Sequence, residues 1–265
     1  MTFAPIFLTL SASLFTFAMT ALGSSFVFLI GKGNRKKLTQ IALGFSAGIM
    51  MAASVFGLLL PAMDQAKSLN MPEIMPVIGG FLLGVVFLFI IDKSLPHQHL
   101  MQNTPEGPNI RLNKHSLLFI AITIHNIPEG LCIGVSAAAA LTLNSPEMYS
   151  ATLILALGLG IQNIPEGAAV SLPFYSDGYT KKQSFIKGTI SGIAEPIAAV
   201  IAVILTASMI WILPWALSFS AGAMLYVVIE ELIPQSQEDK GHSDAGTISI
   251  LGGFILMMAL DIGLS

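Results

Sequence analysis

Charge is scarce in this chain and cysteine scarcer. Of 265 residues only 10% are Asp, Glu, Lys or Arg, and one thiol, Cys132, is present. A single cysteine excludes an internal disulfide framework and a thiolate metal cluster. As a small apolar residue beside a polar word, Cys132 reads as packing. Tryptophan is nearly missing: Trp211 and Trp215 fall at the edge of an apolar stretch, where aromatic belts sit, rather than in a substrate pocket. Segments alternating in polarity about every ten residues are also missing, which excludes a membrane β-barrel.

What is present is apolar. Hydrophobic residues make up 54% of the chain and the mean hydropathy is +0.78, values that define a polytopic membrane protein. A helix needs about 20 apolar residues to cross roughly 30 Å of hydrocarbon. Windows of that length fall near residues 3–30, 39–62, 74–95, 115–140, 148–173, 186–209, 211–233 and 247–264. The expected fold is therefore an all-α membrane protein with eight transmembrane helices in one domain spanning 1–265. The tightest connection is between the sixth and seventh helices, where Trp211 to Pro214 has to make the turn. The first window has no basic residues ahead of it and is too long for the apolar core of a secretion signal, so it reads as retained.

Basic residues set the orientation. The odd-numbered loops carry Lys32, Arg35, Lys36, Lys37, Lys93, Arg111, Lys114, Lys181, Lys182, Lys187 and Lys240, while the even-numbered loops carry only Lys67. Basic loops stay cytoplasmic, which puts both termini outside. The outer side also holds Asp64 and Glu73, an acidic mouth that suits an incoming cation and equally describes a solvated loop. Terse loops and a short chain read as a multi-pass bacterial plasma-membrane protein. No nucleic-acid partner is expected. A second copy of the chain is a candidate partner through small-residue faces such as Ala137 to Ala140, which fit intramolecular contacts equally well.

The chain repeats itself. Gly-Phe-Ser-Ala-Gly-Ile-Met at 44–50 returns as Ser-Phe-Ser-Ala-Gly-Ala-Met at 218–224, and Gly-Gly-Phe-Leu-Leu at 79–83 returns as Gly-Gly-Phe-Ile-Leu at 252–256. The two words return at almost the same offset, one position apart. Each partner lies five helices further on, an odd number, so the copies insert with opposite polarity. The plan is an inverted 3+2+3 repeat, in which helices 1–3 match helices 6–8 around a central pair. Small-residue words of this kind also serve close helix packing on their own.

The central pair carries two related words, His-Asn-Ile-Pro-Glu-Gly at 125–130 and Gln-Asn-Ile-Pro-Glu-Gly at 162–167. Four-residue spacing puts His125 with Glu129, and Gln162 with Glu166, on one face of their helices. At 1.5 Å per residue, His125 lies about 15 Å into its helix and Gln162 about 21 Å, near mid-depth. Pro128 and Pro165 free the carbonyls of Ile124 and Ile161 and should bend both helices. Glu195, followed by Pro196, repeats the acid and kink in the sixth helix. Glu230, Glu231 and Asp261 lie nearer helix ends. No lysine or arginine lies as deep as these three central acids, and an ionised side chain at mid-span costs roughly 2.5–3.5 kcal/mol. Imidazole, carboxylate and amide oxygen together suit a divalent first-row ion such as Zn²⁺, Fe²⁺ or Mn²⁺, and the lack of thiolate leaves room for release. Two ions could share Glu129 and Glu166, one toward His125 and Gln162, the other toward Asn126, Asn163 and Glu195.

These words, Ala-Glu-Pro in the sixth helix and eight spans with both ends outside resemble the Zrt/Irt-like protein (ZIP) family of divalent metal transporters. Gly-Phe-Ser-Ala-Gly-Ile-Met-Met-Ala-Ala-Ser, Leu-Pro-His-Gln-His and the closing Met-Met-Ala-Leu-Asp are similar to its GufA-like bacterial branch. The resemblance implies metal uptake toward the cytoplasm by an elevator-like movement of one helix bundle against another. It implies a first site of His125, Glu129, Gln162 and Glu166 with Met50 as a soft ligand, and a second of Asn126, Asn163 and Glu195 sharing the two central glutamates. Asp64 would sit at the entrance, with Glu230, Glu231, His97 and His99 on the exit side. Zinc is the expected cargo, with Fe²⁺, Mn²⁺ and Cd²⁺ as competitors, and no resident cofactor is expected. The chain departs from many members in carrying Gln162 for histidine, and from some in carrying Asn163 for aspartate.

Other functions fit less well. A zincin needs His-Glu-x-x-His, and this chain has one deep histidine, so an enzyme is not expected. A proton-coupled transporter of another substrate would also use buried carboxylates and inverted repeats, and it stands as the alternative.

Overall fold

The computed structural model describes residues 4–29, 36–94, 114–176, 178–206, 209–237 and 244–264. Among them the chain is helical, with no strand. Eight helices are long and apolar enough to cross a membrane: Ile6–Leu29, Gln40–Ser68, Ile74–Ser94, Thr123–Leu143, Pro146–Ser176, Lys181–Thr206, Ile210–Gln237 and Ala245–Leu264. They are called the first to eighth spans below. Helix is what hydrocarbon demands, because each backbone N–H and C=O must find its partner inside its own segment.

Several spans outlast the windows read from hydropathy. The second runs to Ser68 rather than 62, the sixth begins at Lys181 rather than 186, and the seventh continues to Gln237. Hydropathy follows lipid contact, whereas a helix ends where its backbone is capped. Thr180 caps the sixth span: its hydroxyl accepts from the Gln183 amide at 3.2 Å, and the Gln183 side chain accepts from the Thr180 amide at 3.0 Å. This reciprocal box satisfies two orphan donors. Asn70 and Asn144, at φ 54° and 49°, stop the second and fourth spans in the left-handed region that asparagine tolerates. The turn between the sixth and seventh spans also differs from expectation. Ile210–Ile212 already forms a 3-10 turn, and Leu213–Val227 is α-helical with Pro214 in its first turn, where a missing N–H does no harm.

The second and seventh spans each contain a π-helical stretch, Ala53–Leu59 and Val228–Leu232. In the register that lays Phe45 on Phe219, positions 53–59 fall on 227–233, so the two wide turns coincide. Nothing in the hydropathy announced them.

Four pairs of spans make the most extensive contacts: first with fifth, fourth with sixth, second with eighth, third with seventh. The last two meet along glycine seams. A methyl on Gly253 would collide with the Phe45 carbonyl, and one on Gly84 with the Phe219 carbonyl. Gly48 abuts Ile250 in the same way, and Gly222 abuts Phe81. These contacts match when Phe45 is laid on Phe219 and Gly84 on Gly253. Laying the Gly-Gly-Phe words on each other instead leaves the third and eighth spans one helical turn out. Gly84 is the counterpart of Gly253, and Asp92 the counterpart of Asp261.

Burial follows position. The windows of the fourth, second and fifth spans are 72%, 67% and 67% buried, against 22% for the third and 11% for the eighth. The first three line the centre and the last two face lipid. Ala137 to Ala140, a candidate face for a second copy, are wholly buried, so that face is used inside the chain.

Candidate metal centre

A layer of buried polar side chains crosses the middle of the fourth, fifth and sixth spans. His125, Asn126, Glu129, Gln162, Asn163, Glu166 and Glu195 are all buried. Each helix runs unbroken through its proline, Lys114–Leu143 through Pro128 and Pro146–Ser176 through Pro165. The His-x-x-x-Glu and Gln-x-x-x-Glu faces therefore stay in register.

Gln162 is the hub. Its Nε2 donates to Glu129 Oε1 across to the fourth span, to Asn163 Oδ1 at 3.1 Å, and lies 3.2 Å from Glu166 Oε1. An amide nitrogen has two hydrogens, yet three oxygens converge on this one, an arrangement a small cation would also find. Asn163 Nδ2 donates to Glu195 Oε2 at 2.9 Å and to the Thr16 carbonyl at 3.2 Å, which joins the first, fifth and sixth spans. Asn126 Nδ2 donates to the Ser191 carbonyl at 3.4 Å. Gly130 and Gly167 press against the carbonyls of Glu195 and Thr20, an approach that only glycine permits. The two sets share one register. Laying Asn126 on Asn163 also lays Gly130 on Gly167, and laying Thr16 on Ser191 also lays Thr20 on Glu195.

Several buried acceptors lack a hydrogen-bond partner among the described residues: Glu129 Oε2, Glu166 Oε2, Glu195 Oε1 and Gln162 Oε1, with His125 Nε2 beside them. Buried polar atoms of this kind are nearly always satisfied by a donor, water or an ion. Among the described residues no three His, Cys, Asp or Glu side chains are gathered closely enough to enclose an ion. Gln162 and Asn163 stand between the acids, so the polar layer is amide-spaced rather than a closed cage of charged groups.

The family model described as ZIP Zinc transporter matches residues 102–261. The chain is 34% identical to zinc transporter ZIP11 of Homo sapiens, over 98% of each chain. It is 33% identical to zinc transporter GufA of Myxococcus xanthus over 96% of this chain and 98% of that one. With zinc transporter ZIPB of Bordetella bronchiseptica it shares 35% identity, over 94% and 78% of the two chains. The chain belongs to the ZIP zinc transporter family. Membership confirms the GufA-like resemblance, and it sets aside the enzyme reading because the family consists of transporters.

For this ZIP protein, the residues expected along the path divide sharply. Glu230 and Glu231 are expected together on the exit side, but the structure separates them. Glu230 is exposed, whereas Glu231 is buried on the π-helical stretch of the seventh span. Its Oε2 lies 3.2 Å from His125 Nδ1, close enough for an ion pair but without the angle of a hydrogen bond. Two adjacent glutamates on a helix point in directions about 100° apart, and their sequence does not say which faces in. Asp64 stays outside the cluster, exposed on the second span and 3.9 Å from Lys67 Nζ, which also lies 3.6 Å from Glu73. Asp261 is half-buried near the end of the eighth span. Met50 is buried in the apolar core one turn beyond Ser46, whose hydroxyl donates to the Gln162 carbonyl at 3.3 Å. His97 and His99 lie outside the described residues.

Some contributors escaped the sequence reading. Thr9, Ser13, Thr16, Thr20 and Ser24 of the first span are all buried, at spacings of three and four that define one helix face. That period was readable in the sequence. It brings Thr16 and Thr20 to Asn163 and Gly167.

Proposed function

We propose that this chain carries zinc through the bilayer into the cytoplasm, binding the ion at mid-membrane through His125, Glu129, Gln162 and Glu166. The observation that carries the reading is the buried layer itself. Carboxylates from three spans meet an imidazole and three amides, with no lysine or arginine among them in the described residues. Fixed positive charge does not balance the acids, so a mobile cation is the natural counter-charge. The relatives' printed names, all zinc transporters, support zinc as that cation.

Binding requires Gln162 to turn. With its Nε2 withdrawn from Glu129 and Glu166, its Oε1 joins those carboxylates and His125 Nε2 around the ion, a set of oxygen and nitrogen donors suited to Zn²⁺. Glu231 then holds His125 from behind through Nδ1, the position from which a carboxylate fixes the ring of a liganding histidine. Asn163 and Glu195, tied to each other and to Thr16, form the wall next to the ion.

Transport follows by alternating access. The matched clamps of Asn126 and Asn163 and the matched seams of Gly84 and Gly253 support an inverted 3+2+3 repeat. The basic loops support termini outside and passage inward at a plasma membrane. The test is uptake of radioactive zinc by proteoliposomes containing the full chain. His125→Ala and Glu166→Ala are each expected to cut the initial rate more than tenfold. Wild-type rates in both would sink the assignment, and a competition series with Fe²⁺, Mn²⁺ and Cd²⁺ would rank cargo.

A further inference from the structure

The clamps and glycine approaches of the central helices come in matched pairs, whereas the contact that Ser46 makes stands without its match. Asn126 corresponds to Asn163 in its clamp, as Gly130 does to Gly167 in its approach. Ser46 of the second span donates its hydroxyl to the Gln162 carbonyl at 3.3 Å. In the register of Phe45 on Phe219, Ser46 falls on Ser220, and in that of the central words Gln162 falls on His125. The counterpart would therefore be a bond from Ser220 to the His125 carbonyl. It is not made. Ser220 Oγ is fully buried and has no partner among the described residues.

A buried hydroxyl without a partner is unfavourable, and most such groups are satisfied. The fourth and fifth spans are bound to each other, with Ser136 and Thr152 hydroxyls 2.8 Å apart. The second and seventh spans also touch each other. Where the inverted repeat relates the two states, sliding one pair past the other brings Ser220 toward the His125 carbonyl as it withdraws Ser46 from that of Gln162. The alternative arrangement makes one bond and breaks one, so the two arrangements are nearly balanced in energy.

We propose that Ser46 and Ser220 are paired positioning residues that hold the two metal-bearing helices alternately, Ser46 in the arrangement described here and Ser220 in the opposite-facing one. The proposal rests on the inverted repeat and alternating access given above. It adds the residues that set the balance between the two states. The counterpart of Glu231 is Gly57, so an acid waits for His125 on the seventh-span side alone. The toggle is symmetric in its hydroxyls and directional in its ligands.

The test measures the balance directly. Spin labels on Leu60→Cys of the second span and Leu205→Cys of the sixth, both exposed, are placed in the full chain with Cys132→Ala, and their distance distribution is recorded in lipid nanodiscs without zinc. Ser46→Ala is expected to lower the ratio of the present arrangement to the opposite-facing one about fivefold, the worth of one net hydrogen bond. Ser220→Ala removes no bond made here, so it folds as the parent does, and it is expected to raise that ratio by about the same factor. The double variant should return the parent ratio. A Ser220→Ala protein with an unmoved ratio, or two single variants shifting the same way, overturns the toggle. Zinc uptake by the His125→Ala protein reports separately on the metal site, so failure of one reading is distinguishable from failure of the other.

Discussion

The words at 125–130 and 162–167 differ in one residue, and the structure treats them as the same backbone with different tasks. In both, asparagine clamps a neighbouring carbonyl and glycine admits a neighbouring helix. The first residue breaks the match. Gln162 turns inward and gathers three oxygens, while His125 leans toward Glu231 on the seventh span. Shared residues thus build the frame, and the unshared one gives the centre its chemistry.

His125→Gln makes the words identical and should have the largest effect. The frame survives, the imidazole is lost, and zinc uptake in proteoliposomes falls more than tenfold with little change in melting temperature. Uptake near wild type would mean that the difference between the words is ornamental. Next come Gly130→Ala and Gly167→Ala, which each force a methyl against a backbone carbonyl. Overpacking of this kind costs about 1–3 kcal/mol, and thermal melts in detergent should show similar losses for both. Markedly unequal losses would break the correspondence between the two helices. Asn126→Ala and Asn163→Ala each take one donor from a buried carbonyl, a loss of about 0.5–1.5 kcal/mol. Asn163→Ala should be the worse of the two because Glu195 also loses a partner, and chemical denaturation can rank them. The smallest effect belongs to Asp64→Asn. Its exposed pair with Lys67 lies in the range of about 0–1 kcal/mol, so uptake should change less than twofold.

The sequence made the eight spans and the central words legible, because lipid selects apolar length and a deep acid is conspicuous in it. It was less informative where backbone chemistry takes over. Thr180 and Asn70 set helix ends that hydropathy placed elsewhere. The Gly-Gly-Phe match was real as a string and one turn wrong as a contact, since a seam is defined by what each glycine faces. The amide nitrogens of Asn126 and Asn163, both expected as ligands, donate to protein oxygens, an orientation that residue type alone does not carry. Glu231 was placed near a helix end by counting, and the π-helical stretch that bears it into the polar layer had no visible signature.

The lipid-facing third and eighth spans are joined to the seventh and second spans along glycine seams. Their outer faces carry Ile78, Leu82, Leu83 and Phe89 on one, and Ile248, Leu251 and Ile255 on the other. A bilayer thinner or thicker than these faces pulls on them at a modest cost per ångström of mismatch. Because backbone meets backbone along the seams, that strain passes to the helices bearing Ser220 and Ser46 rather than being absorbed by yielding side chains. Acyl-chain length thereby becomes a lever on transport, and the same protein should run at different speeds in membranes of different thickness.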